Sequence, residues 1–201
     1  YAGEKFSAAA KADVEAKVQT MIEVYKKRLE SADWLAAETR EKAIVKLNVI
    51  TPHIGYPEKL PETYAKKIID ENLSLVENAQ NLAKISIAHA WSKWNQPVDA
   101  TEWGMPAHMV NAYYSPESNE IVFPAGILQA PFYDPKASPE ENLGGIGAVI
   151  GHEISHAFDK SGSQFDENGN LVNWWKPEDL EKFNKKVQQA ADIYSKLEVA
   201  P

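Results

Sequence analysis

The chain contains no cysteine, so it has neither a disulfide framework nor a thiolate metal site, and its compartment is left open. No apolar run approaches the ~18 residues that a membrane-spanning helix needs. Positive charge is in short supply: 21 Lys and Arg stand against 29 Asp and Glu, a net −8. No basic cluster exceeds Lys26-Lys27-Arg28 or Lys185-Lys186, and both read as solvated helix faces, which argues against nucleic-acid binding. Internal repeats and low-complexity tracts are absent. Hydrophobic material is not lacking, at 44%, so a core is expected and disorder is not. The first residue is Tyr1 rather than Met, and the pattern breaks off at Ala200-Pro201, so a piece of a longer protein is expected.

Histidine is scarce too, 5 in 201 residues, yet two of the five stand four apart in Gly151-His152-Glu153-Ile154-Ser155-His156. On a helix that spacing puts both imidazoles on one side, where a single Zn²⁺ accepts a nitrogen from each at ~2.0–2.1 Å. Glu153 lies beside them, positioned to take a proton from an activated water. Composition alone generates such a pattern by chance at roughly 1%, which favours zinc over an incidental pair of helix histidines. On a helical wheel Ile146, Ile150, Ile154, Ala157 and Phe158 fall within about 120° and the histidines fall elsewhere, giving a buried helix with a separate polar stripe.

The flanks read in order. Val14, Val18, Met21, Ile22, Tyr25 and Leu29 recur at helical spacing from about Ser7 to Glu30. A second helix is expected from about Leu35 to Val49, with Asp33 as candidate N-cap and Ala36, Ala43, Ile44 and Leu47 inward. Residues 51–57 carry two prolines and a glycine and read as a loop. A short helix near Glu62–Ile69 follows, and Ser74 with Glu77 forms a capping box opening a helix to about Trp94. His89 on that helix reads as a polar packing neighbour. Val110–Tyr114 and Glu120–Phe123 flank turn residues and predict a hairpin. Ser138-Pro139-Glu140-Glu141 starts a helix just before the histidines; Gly144, Gly145 and Gly147 weaken it unless another backbone approaches closely. Gln164-Phe165-Asp166 and Leu171-Val172 flank Asn168-Gly169 and predict a tight hairpin, and the loop fails the calcium pattern at Leu171 and Pro177. Pro177 opens a last helix with Leu180, Phe183, Val187, Ala190, Tyr194 and Leu197 on one face. The sequon Asn72-Leu73-Ser74 overlaps a helix cap.

Zinc hydrolases use three protein ligands and an open position. A third histidine six residues after His156 is excluded, because Gly162 stands there. No later glutamate has an aspartate four residues on, so the third ligand is expected beyond Pro201, from a missing C-terminal segment or another chain.

Asn111-Ala112-Tyr113-Tyr114, Asn119 through Gln129, Gly144 through Gly147 and His152 through Asp159 resemble the neprilysin and endothelin-converting-enzyme family of zinc metallopeptidases. The bacterial oligopeptidase O branch is the nearer one, since the cysteines of animal members are absent. The resemblance is strong over about 100–175 and looser from Trp34 to Pro57. It implies His152 and His156 as zinc ligands and Glu153 as the base. It implies that Asn111 and Ala112 hold the substrate backbone as an added strand, and that Ile127, Phe132 and Val149 line the apolar specificity pocket. Ala148 replaces a larger residue of some members. Asp159 matches a hydrogen-bonding position. The family's Glu ligand, transition-state histidine and substrate-carboxylate arginine all lie further along and are absent here.

The expected fold is α+β and predominantly helical: a zincin-like catalytic region with a small antiparallel sheet, plus helices of the covering lobe that the resemblance implies, a lobe that in the family limits entry to short peptides. Residues 1–72 are assigned to the lobe or its linker, and 73–201 to the N-terminal part of the catalytic domain. The expected activity is zinc-dependent endopeptidase action on peptides, with the chain alone inactive, in a bacterial protein whose compartment the sequence leaves open between cytoplasm and export or cell surface. A non-catalytic zinc-binding module and a purely structural helical protein are the alternatives, separated by metal content and a peptidase assay.

Overall fold

The computed structural model describes residues 6–99 and 101–198. Helix α1 (Ala8–Glu30) opens on Ser7, whose hydroxyl accepts the Ala10 N–H, and buries the stripe Ala10, Val14, Val18 and Ile22. Helix α2 (Ala37–Asn48) packs beside it and buries Thr39, Ala43, Lys46 and Leu47. Asp33 does not cap α2. The residue at that position is Ala36, whose N–H is instead satisfied by the Asp179 carboxylate at 2.9 Å, brought from the far end of the chain.

Residues 51–57, expected as a loop, contain strand β1 (Thr51–Gly55). With β2 (Tyr113–Ser115) and β3 (Glu120–Pro124) it forms a sheet in the order β1-β3-β2, β1 parallel and β2 antiparallel to β3. The sheet is therefore mixed rather than antiparallel. Pro52 offers no ladder donor, which an edge strand tolerates and a central one would not. Strand β3 is central and buried throughout, and Glu120 within it is paired with His53 at 3.2 Å.

Between β1 and β2 the chain makes an excursion through α3 (Thr63–Lys66) and α4 (Leu75–Ser92). Both halves of the Ser74–Glu77 capping box are formed. His89 is hydrogen-bonded to Glu102 at 3.1 Å, a polar neighbour as expected. Little of α4 is buried, and Leu75 is 86% exposed. After β3 come α5 (Pro139–Asn142), a π-helical turn (Leu143–Gly147), α6 (Ala148–His156) and α7 (Pro177–Tyr194). The hairpin expected around Asn168-Gly169 is reduced to a turn, with Gly169 at φ +78° and a single bridge between Phe165 and Leu171 in place of paired strands. The expected apolar face of α7 is only partly covered: Phe183 packs with Trp175, while Val187 and Leu197 are exposed.

One core holds α1, the sheet and α6 together, with Val14, Val18, Ile22, Leu47, Ile121, Phe123, Ile146, Ile150 and Ile154 all in it. A smaller cluster of Leu35, Ala43, Trp174 and Trp175 joins α2 to α7. No described helix is long and apolar enough to cross a membrane.

Candidate active site

The site is built on α6, and its approach is set by what happens one turn earlier. Ser138 and Glu141 form the predicted capping box and start α5. The ladder then slips to π geometry because the Ile146 N–H donates at 2.7 Å to the carbonyl of Phe132, outside the helix. Gly145 allows that approach: a Cβ there would stand 2.3 Å from the Phe132 carbonyl oxygen. This is the close backbone contact that the glycine run required. Ile146, Ile150, Ile154 and Ala157 are fully buried, with Phe158 at the margin, as the wheel predicted.

His152 and His156 project from the opposite side with their Nε2 atoms 3.0 Å apart. Behind His156, Nδ1 is hydrogen-bonded to Asp159 Oδ2 at 2.7 Å, which places the proton on Nδ1 and leaves a lone pair on Nε2. Burial acts to raise the Asp159 pKa, but hydrogen bonds from His156 and from the Gly162 and Ser161 N–H groups outweigh it and hold the carboxyl below the usual range. Glu153 is buried. Desolvation raises its pKa, against the opposing influence of the two histidines and of a hydrogen bond from the Tyr114 backbone.

That last contact locates Glu153 relative to the sheet. Strand β2 is an edge with β3 on one side only, so the Tyr114 N–H that reaches Glu153 points away from β3. By the period of two, Ala112 presents its N–H to the same open side. Here Asn111 accepts the Ala112 N–H at 3.0 Å, and the Asn111 side chain is exposed while Ala112 is buried. The three residues expected to line an apolar pocket are more scattered in environment. Ile127 is buried in the main core, Val149 packs against it from a half-buried position, and Phe132 is 36% exposed.

Two nitrogens bound to one tetrahedral Zn²⁺ stand roughly 3.3 Å apart, so the pair at 3.0 Å fits a shared metal with a few tenths of an ångström of movement. Among the described residues no group of three or more His, Asp or Glu side chains is placed to hold a metal. Sequence reasoning missed Lys46, whose ammonium donates to the Ala157 carbonyl at the end of α6, and Asp179, which ties α7 to the start of α2.

A helical α+β fold of zincin type with an H-E-x-x-H helix is thus defined. Two family models described as peptidase family M13 match residues 1–57 and 111–200. The chain is 68% identical over 194 residues to a Streptococcus gordonii protein named as a zinc metalloproteinase of the scaA 5′ region, covering 96% of this chain and 34% of that one. It is 52% identical over 198 residues to the neutral endopeptidase of Lactococcus lactis subsp. lactis, covering 98% and 31%. The crystal structure of PepO from Lactobacillus rhamnosis superposes with a TM-score of 0.89 at 44% identity, over 94% of this chain and 30% of that one. The chain belongs to peptidase family M13. It spans about a third of the length of the curated relatives it matches.

Proposed function

We propose that this chain carries part of the catalytic centre of a zinc-dependent endopeptidase acting on short peptides. The observation that carries this reading is the facing pair of Nε2 atoms on α6, 3.0 Å apart, with Asp159 orienting His156 from behind. His152 and His156 are the proposed ligands; the third comes from a segment beyond this chain or from another chain. Zinc held there supplies Lewis acidity that polarises a carbonyl and lowers the pKa of water.

The chain's own residues do the rest. Glu153, buried beside the histidines, takes a proton from water and returns it to the departing amine. The open edge of β2 receives the peptide as an added strand, with Asn111 and Ala112 at its start. Ile127, Phe132 and Val149 face the apolar side chain of the substrate.

The test is Glu153→Gln in the full-length protein. Peptide cleavage is expected to be lost with zinc content unchanged, because the amide keeps the shape and cannot serve as base. Near-normal turnover, or loss of zinc, would overturn the assignment.

A further inference from the structure

Lys46 has no part in the proposed chemistry, yet it is 1% exposed, among the most buried side chains in the molecule. Its ammonium carries three N–H donors, and three carbonyls receive them: Ala157 at 3.0 Å, Gly162 at 2.7 Å and Phe165 at 2.7 Å. These carbonyls bracket one loop. Ala157 caps α6 directly after His156, and Gly162 and Phe165 bound the turn that follows. The loop is pressed tightly onto the helix end, where a Cβ on Gly162 would stand 1.9 Å from the His156 carbonyl oxygen. Within the loop Asp159 accepts the Ser161 and Gly162 N–H groups, each at 2.8 Å, and reaches back to His156 with its other oxygen.

The rings of Tyr114 and Trp174 enclose the ammonium, with centroids 5.7 and 5.9 Å away. The Lys46 carbonyl accepts the Asn119 side-chain amide at 3.0 Å, and Asn119 in turn accepts the Tyr114 hydroxyl at 2.9 Å. Burial pushes the Lys46 pKa down to about 8 against the pull of Asp166, Asp159 and Glu167. A lysine desolvated this far is retained only where its donors are all used.

We infer that Lys46 is a positioning residue: by holding Ala157, Gly162 and Phe165 it fixes the Asp159 turn against α6 and thereby orients His156. The inference rests on His152 and His156 being zinc ligands, as proposed above. Loss of an outer-shell partner of a metal-bound histidine typically costs about 10–100-fold in metal affinity, so Lys46, acting one step further out, belongs near the low end.

The experiment measures zinc dissociation constants by chelator competition in the full-length protein, for Lys46→Met, Lys46→Gln, Asp159→Asn and the double variants. Lys46→Met is expected to weaken zinc about tenfold, and Lys46→Gln, which keeps two donors on a shorter arm, about threefold. In the Asp159→Asn background neither change should weaken zinc by more than about twofold, since the route through Asp159 is already cut. A purely structural lysine would lower the melting temperature and leave the zinc constants of the folded protein unchanged, or would act equally in both backgrounds; either result overturns the inference. If Lys46→Met does not fold, the Lys46→Gln pair decides by the same criterion. Zinc binding that survives His152→Ala in an otherwise normal protein would remove the ligand assignment itself, and this inference with it. Tight binding lost on His152→Ala but indifferent to Lys46 removes the inference alone.

Discussion

The Tyr25 hydroxyl donates to the carbonyl of Gly151 at 2.7 Å, tying α1 to the residue directly before His152. Burial raises the Tyr25 pKa, with Arg28 acting the other way, so the phenol remains a donor at neutral pH. Tyr25→Phe keeps the ring and removes the bond. Protection of the α6 amides from hydrogen exchange is expected to fall by about 1 kcal/mol. Unchanged protection would mean that apolar packing alone holds the two helices.

Gly144 and Gly145 are adjacent and should respond in opposite directions. A Cβ on Gly144 meets nothing within 4 Å, whereas one on Gly145 runs into the Phe132 carbonyl. Gly144→Ala is expected to stabilise by about 0.5–1 kcal/mol through helix propensity. Gly145→Ala is expected to destabilise by about 1–3 kcal/mol and to displace Phe132. Urea unfolding of the two variants against the parent checks the sign of each.

Asp179 gives a pH dependence. It is 1% exposed and holds the Ala36 N–H at 2.9 Å and Lys182 at 3.2 Å. Burial would raise its pKa, but hydrogen bonds from Thr39, Ala36 and Lys182 outweigh that and bring it below 3.8. A carboxylate with a depressed folded-state pKa stabilises fully above its unfolded value, and that contribution fades as pH falls through the folded one. Asp179→Asn should therefore cost about 2 kcal/mol at pH 7, with the gap to the parent closing below the ordinary carboxylate range. Unfolding free energies measured from pH 2 to pH 7 test this; a constant gap would contradict it.

Asn111→Ala in the full-length protein should reduce kcat/KM for peptide cleavage by roughly 2–10-fold, equivalent to ~0.5–1.5 kcal/mol, with zinc content unchanged. The change also frees the Ala112 N–H from its neighbour's side chain. Normal kcat/KM with lowered stability would make Asn111 a turn residue only.

What could be read in advance divides by range. The helix around His152 was legible because its apolar stripe, its capping box and its glycines are local signals, and each has its partner in the structure. Strand β1 was not, because its partner β3 is remote in sequence and Pro52 mimics a loop. The Asp179 cap escaped for the same reason: a carboxylate on α7 serves α2. Lys46 did leave a trace. It lies at helical spacing with Thr39, Ala43 and Leu47, and a lysine on a buried stripe signals a compensated charge. Which groups compensate it depended on a loop more than a hundred positions away.

The parallel pairing of β1 with β3 also sets an order of events during synthesis. Strand β1 leaves the ribosome with α1 and α2, but its partner follows only after residues 56–119 have been made. Until then Val14, Val18 and Ile22 have neither β3 nor α6 to cover them. Until β3 and α6 have been made, that helix face and strand edge lack the partners that cover them in the fold. Closure of the core and arrival of the histidine helix then fall in the same late step.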